Sequence, residues 1–189
     1  MPVTRFERLL GRLGQALDQA GIPYMVIGGQ AVMIHGRLRV TEDVDLTLGV
    51  DSSEASQVLT VLGNVNLKPL VDQPCEFVTR TYILPMYAID EQVRVDFAFS
   101  FTPYEMQAIE HGVTHNENGH PVRFASAEDL IIHKLFAGRP RDLEDIRGIL
   151  ARQQNKVDRM YLRDWIRQFS QIEGKAHLLG QLEELLAQT

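Results

Sequence analysis

The segment Val93–Phe99 (VRVDFAF) alternates strictly, and its polar set carries a carboxylate. A period of two is that of a β-strand. Val93, Val95, Phe97 and Phe99 therefore share one face, and Arg94, Asp96 and Ala98 share the other. The apolar face demands a core. On the opposite face Asp96 sits between Val95 and Phe97, and a buried, unpaired carboxylate costs roughly several kcal/mol. Its ordinary partner is Arg94, two residues away on the same face, or Arg39. The alternative partner is a metal ion. A chain with this segment must build a sheet with one buried face and one face that carries chemistry.

A second strand-like segment repeats the pattern. Val44–Leu48 alternates, and Asp43 and Asp45, one residue apart, point to the same side. Two carboxylates this close raise each other's pKa unless a cation intervenes. Upstream, the apolar run from Tyr24 to Ile27 ends in Gly28-Gly29, and Gln30 to His35 reads as a short helix. A glycine pair between strand and helix lets backbone amides approach phosphate oxygens at the positive end of a helix dipole. Taken singly, the pair reads more simply as a turn, and Asp43 and Asp45 read equally as a strand-entry residue and an edge charge. Taken with Asp96, they read as a site for two magnesium ions, or manganese, and a nucleoside triphosphate.

The rest of the chain is read from caps and periods. Thr4 to Glu7 fits a capping box ahead of Phe6, Leu9, Leu10, Leu13, Leu17 and Ala20 at helical spacing, with Gly21 as the stop. Ser52 or Ser53 is placed to cap a helix through Leu62. Phe77–Leu84 reads as a strand, Thr102-Pro103 opens a helix, and Asn118-Gly119 makes a hairpin turn ahead of Val122–Phe124. From Ser126 onward the pattern is helical, with breaks near 138–140, 154–157 and 174. The expected class is α/β (α+β): a mixed sheet flanked by helices over 1–125, with a helical part over 126–189 packed on it.

Composition narrows the function. The 189 residues are 44% hydrophobic and 23% charged, as in globular proteins, and no apolar run approaches a membrane span. The net charge of −6 argues against a dedicated nucleic-acid binder, though not against a local basic patch. Cys75 is the single cysteine, which excludes an internal disulfide and a cysteine-built zinc site. The N-terminal residues lack a secretory apolar stretch, so a cytoplasmic protein is expected. His111, His115 and His120 spread over a turn and make a poor metal set. His35 reads as a packed or helix-ending residue. Arg37 and Arg39 are placed either to line an acceptor entrance or to be solvated loop charges. Asp158–Arg167 reads as a solvated helix face, with Trp165 and Phe169 in the core.

These residues resemble a known family. Ile27-Gly28-Gly29, Arg39-x-Thr41-x-Asp43-x-Asp45 and Val95-Asp96-Phe97 look like the nucleotidyltransferase superfamily of the DNA polymerase beta fold. The Arg-x-Thr-x-Asp-x-Asp version is similar to its AbiEii branch, the toxin half of bacterial toxin–antitoxin pairs. Lys134-x-x-Ala137-Gly138-Arg139-x-Arg141-Asp142-x-x-Asp145 is similar to that branch too. The resemblance covers roughly residues 22 to 148, and the chain is shorter at its helical end than AbiEii proteins generally are.

The resemblance implies a transfer of a nucleoside monophosphate from a triphosphate such as ATP to a hydroxyl on tRNA, protein or a small molecule. It implies that Gly28 and Gly29 hold the triphosphate, with Arg39 and Thr41 beside them. Asp43 and Asp45 bind both metals, and Asp96 binds the second and helps deprotonate the attacking hydroxyl. Lys134 meets triphosphate oxygens, and Asp142 orients Lys134 or Arg139. A cognate antitoxin, and a monomer or homodimer, belong to the same expectation. The rival reading is a non-catalytic nucleotide- or partner-binding module of the same fold.

Overall fold

The computed structural model describes residues 3–37, 40–100 and 102–188. The chain divides into two compact units, Met1–Gln30 with Val40–Ala125, and Ala31–Arg39 with Ser126–Thr189.

The first unit is built on a seven-stranded sheet. Its described elements, in chain order, are α1 (Arg5–Gln19), β1 (Tyr24–Ile27), the start of α2 (Gly28–His35), β2 (Asp43–Leu48), α3 (Ala55–Asn64) and β3 (Leu67–Pro69). These are followed by α4 (Pro74–Thr81), β4 (Ile83–Ala88), β5 (Val93–Phe99), α5 (Pro103–Glu110), β6 (Val113–Glu117) and β7 (His120–Phe124). The strand order is β3-β4-β5-β2-β1-β7-β6. The joints β2–β5 and β1–β7 are parallel and the others antiparallel, so the sheet is mixed.

The alternation in β2 and β5 sets the two faces. Val44, Leu46, Leu48, Val93, Val95, Phe97 and Phe99 are all buried, while Asp43, Asp45, Arg94 and Asp96 are not. Helix α1 buries Leu9, Leu10, Leu13 and Leu17 along one stripe. Each such side chain contributes about 1.5–3 kcal/mol. The helix can close on the β6–β7 hairpin because residue 11 is glycine, where a Cβ would lie 2.3 Å from the Glu117 carbonyl oxygen. The capping box is formed as expected: Thr4 Oγ1 accepts from Glu7 N at 3.1 Å, and Thr4 N donates to the Glu7 carboxylate at 2.5 Å.

The second unit is helical. It holds the later turns of α2 together with α6 (Ala127–Ala137), α7 (Pro140–Gln153), α8 (Arg159–Phe169) and α9 (Leu178–Ala187). Ser126 caps α6, Asp158 caps α8, and Gly138 ends α6 at φ +67. Arg152 Nη1 donates to the Gly36 carbonyl at 2.7 Å and Gln153 Nε2 to that of His35 at 3.0 Å, which ties the end of α2 to α7. Leu130, Ile131, Leu135, Ile146, Ile149, Leu162, Ile166 and Leu182 fill the core. Trp165 and Phe169 stack at its edge, half-buried rather than fully enclosed.

Three expectations are corrected. Phe77–Leu84 is not a strand: Pro74–Thr81 is helix α4, and β4 starts only at Ile83. The β-branched and aromatic composition pointed to a strand. The helix prevails because Pro74 opens it and Val78 alone turns fully into the core; the Thr79 and Thr81 hydroxyls are accommodated by donating back to the carbonyls of Cys75 (3.0 Å) and Phe77 (2.9 Å). Cys75 consequently sits on an exposed helical turn. Asp51, not a serine, caps the turn leading into α3, its carboxylate accepting from Ser53 N at 2.8 Å. Helix α2 begins directly at Gly28, with no intervening turn. Among the described residues no helix is long and apolar enough to cross a membrane.

Candidate active site

Strand β2 carries the centre of the site. On one flank it pairs with β1, where Asp45 lies opposite Ile27. On the other it pairs with β5, where Asp45 lies opposite Asp96 and Asp43 opposite Arg94. Residues opposite one another on paired strands share a face, so Asp43, Asp45, Arg94 and Asp96 form one polar patch. Neighbouring strands lie about 4.8 Å apart, which brings Asp45 and Asp96 within reach of a shared cation.

Gly28 completes the first flank. It follows Ile27, opens α2 and has φ +63. A Cβ on residue 28 would fall 2.0 Å from Asp45 Oδ2 and 2.8 Å from its Cγ. The Asp45 carboxylate therefore rests against the bare Cα of Gly28, at the helix end whose dipole favours negative charge. Any larger residue would displace it. Gly29 follows in the first turn and is buried.

The other two carboxylates have local partners. Thr41 Oγ1 donates to Asp43 Oδ1 at 2.9 Å. Arg94 Nε donates to both oxygens of Asp96 at 3.1 Å, and Arg94 Nη2 lies 3.1 Å from Oδ1. Arg94 is thus the ordinary partner anticipated for Asp96. The pair is more open than an apolar strand suggested: the side chains are 56% and 24% exposed. An ion pair this exposed contributes about 0–1 kcal/mol, so it is readily exchanged for another.

The donor set consists of carboxylate oxygens with a threonine hydroxyl beside them, the chemistry preferred by magnesium and manganese. Among the described residues no three His, Cys, Asp or Glu side chains already converge as an all-protein cage. That is the usual condition for magnesium, which takes one or two carboxylates and completes its shell with water and substrate phosphates. The cradle at Gly28 and the Asp45–Asp96 register fit such a cation.

Lys134 and Asp142 belong to the helical unit and are brought together there. Lys134 Nζ lies 3.1 Å from Asp142 Oδ1 and 2.7 Å from Asp145 Oδ2, with all three side chains at most 10% exposed. Asp142 Oδ2 accepts from Arg139 Nε at 2.9 Å, so it spans both cations. Behind this cluster Asp129, fully buried, accepts from Tyr161 Oη at 2.8 Å and Ser126 Oγ at 2.6 Å. Burial and then the hydrogen bond to Asp129 push the Tyr161 pKa up. Burial pulls that of His133 down, against the opposing pull of Asp129.

Arg39 lies outside the described residues. The Arg37 side chain packs over Gly148, where an added Cβ would be 3.2 Å from Arg37 Nε. His120 pairs with Asp18 at 2.8 Å, and His115 meets the edge of Phe124, so neither joins the carboxylates. Sequence reasoning passed over Lys68 and Tyr87, which the register places on the polar face. Strand β3 is too short to show a period, and β4 was hidden by the strand-like composition of α4.

A mixed sheet whose first strand runs into a glycine-led helix, with three carboxylates on its two central strands, is the architecture of a nucleotidyltransferase. The chain belongs to the family described as nucleotidyltransferase of unknown function (DUF6036), whose model matches residues 5–171. It is therefore an enzyme of the nucleotidyltransferase class.

Solved structures agree on the fold. An antigenic nucleotidyltransferase-like protein from Paracoccidioides brasiliensis is similar over 99% of this chain and 95% of its own, at 19% identity and a TM-score of 0.59. ANT(2″)-Ia in complex with adenylyl-2″-tobramycin is similar over 88% and 99%, at 16% identity and a TM-score of 0.59. The lincosamide antibiotic adenylyltransferase LnuA, lincomycin-bound, is similar over 79% and 98%, at 15% identity and a TM-score of 0.51. No curated protein matches the sequence. The nucleotidyltransferase resemblance thus holds at the level of the family, while none of these relatives carries the AbiEii name.

Proposed function

We propose that this protein transfers a nucleoside monophosphate from a nucleoside triphosphate to an acceptor hydroxyl. The acceptor oxygen forms a bond to the α-phosphorus, the bond to the bridging oxygen breaks, and pyrophosphate leaves. The observation that carries this reading is the seat of the Asp45 carboxylate on the bare Cα of Gly28, in register with Asp96. It joins an amide-rich helix start to paired carboxylates at one point of the sheet.

Gly28 and Gly29 offer the close backbone approach that triphosphate oxygens need. Asp43, Asp45 and Asp96 are the residues that would hold magnesium or manganese, and such a cation, when bound, neutralises charge on the transferring group. Asp96, whose partner Arg94 is largely exposed and exchangeable, would take the proton of the attacking hydroxyl. Thr41 fixes the carboxylate of Asp43. Lys134 and Asp142, which the sequence resemblance gives to the triphosphate, pair with one another inside the helical unit, and the proposed transfer does not call on them. The rest is positioning, which phosphoryl transfer chiefly requires.

The adenylyltransferases among the structural relatives favour ATP as donor and a small-molecule hydroxyl as acceptor. The Arg39-x-Thr41-x-Asp43-x-Asp45 stretch favours instead an AbiEii-like toxin with an antitoxin partner, acting on tRNA or protein. One experiment addresses both readings: α-labelled triphosphates with magnesium, offered to tRNA, lysate protein and small metabolites, with Asp45→Ala alongside. Label in one fraction, absent with the variant, supports transfer and names the acceptor class. Equal results for the two proteins would leave a binding module.

A further inference from the structure

The register draws a second row across the polar face of the sheet. Lys68 of β3 lies opposite Tyr87 of β4, Tyr87 opposite Arg94 of β5, and Arg94 opposite Asp43 of β2. These four side chains therefore share one face. Lys68 is exposed, Tyr87 is half-buried and the Arg94 side chain is 56% exposed. Lys68 Nζ stands 5.9 Å from the centre of the Tyr87 ring. The row starts at the carboxylates and runs to the sheet edge at β3, away from β1 and Gly28.

That direction matters if the proposed transfer is correct, on which this inference rests. The triphosphate takes the β1 flank, where the glycine-led helix begins. The acceptor must then approach from the opposite flank, over β5, β4 and β3. We infer that Lys68, Tyr87 and Arg94 form the acceptor ledge, and that it takes an acceptor with a phosphate and a planar ring beside its hydroxyl. A nucleotide has that chemistry, whether free or at the end of an RNA strand.

Charge and shape both select it. Two cations flank one aromatic ring, at spacings of about 4.8 Å per strand. Lysine and arginine attract phosphate, and a tyrosine face stacks on a base whatever its identity. The same two cations repel a polycationic acceptor. The chain's net charge of −6 does not speak against this, since Lys68 and an exchangeable Arg94 bring positive charge to the ledge itself.

The test is binding of a fluorescein-labelled single-stranded RNA ten-mer, with AMP as competitor, to wild type, Lys68→Glu and Tyr87→Leu. ATP binding is measured on each protein in parallel. Lys68 is exposed, so its variant keeps the fold. Lys68→Glu is expected to weaken RNA binding at least about fivefold and to flatten the salt slope by about 0.7. Tyr87→Leu is expected to cost about fivefold, with ATP affinity within about twofold of wild type for both. Competition by AMP shows that a free nucleotide suffices, and its failure shows that the strand is needed; either supports the ledge. RNA and AMP that do not bind, or that bind all three proteins alike, overturn it, as does label transfer to an aminoglycoside in place of RNA or AMP. RNA binding that falls in both variants, from a wild type that transfers no label to any acceptor, keeps the phosphate-and-ring ledge but sinks the transfer reading, so the two fail separately.

Discussion

The polar face of the sheet and the ion cluster of the helical unit use the same residue types to opposite ends. On the sheet, Asp43, Asp45 and Asp96 share a face with Arg94, which is largely exposed and pairs with Asp96. In the helical unit, Lys134 and Arg139 meet Asp142 and Asp145, and the three innermost side chains are at most 10% exposed. The first arrangement gathers three carboxylates and one arginine on a face with solvent access, as a site for cations and phosphates requires. The second is balanced and closed, and it joins α6 to α7. Buried charges hold a fold together only when matched, whereas carboxylates on an open face are disposed to bind cations.

That contrast is most sharply tested at Lys134. Lys134→Met should take from Asp142 and Asp145 the ammonium they share in a closed setting and destabilise the protein by about 3–5 kcal/mol, read from chemical denaturation. A loss below about 1 kcal/mol together with a raised KM for the triphosphate would break the comparison and make Lys134 a ligand of the substrate. On the sheet the expectation is reversed. Asp45→Asn should reduce label transfer at least about 100-fold, and Asp96→Asn should change stability by no more than about 1 kcal/mol while also abolishing transfer. A strongly destabilised Asp96→Asn would place that carboxylate in the structural class.

A smaller effect probes the cradle. Gly28→Ala should cost about 2 kcal/mol, from a left-handed residue and a Cβ driven into Asp45. Transfer should fall with it, because the carboxylate must move. Retained activity would detach the glycine from the site. The smallest effect is a slope. His133 is buried and its pKa is depressed in the folded protein, so below its ordinary value of about 6.5 the unfolded chain binds the extra proton. Stability should therefore fall as pH drops below that value, by no more than about 1.4 kcal/mol per pH unit from this group. His133→Leu should flatten the curve there; an unchanged slope would assign it to other groups.

Much of the sheet was legible because period-two patterns are local. Val93–Phe99 declared its two faces residue by residue, and Thr4, Thr102 and Ser126 declared helix starts through side chains that cap within three residues. The Asn118-Gly119 turn was legible for the same reason, both residues having positive φ. Helix α4 was not, since Phe77-Val78-Thr79 has strand composition and its helical state rests on Pro74 and on which residue meets the core. Strand β3 was missed because three residues carry no period.

The candidate site divides along the same line. The sequence by itself determined that three aspartates and a glycine pair lie on or beside strands with one face apolar, since alternation and glycine freedom are properties of neighbouring residues. Only the tertiary structure decided that Asp45 stands opposite Asp96, that its carboxylate rests on Gly28, and that Lys68, Tyr87 and Arg94 line up toward the sheet edge. Register between strands far apart in the chain is set by hydrogen-bond ladders and by burial of the shared apolar face. Neither is written in any one segment.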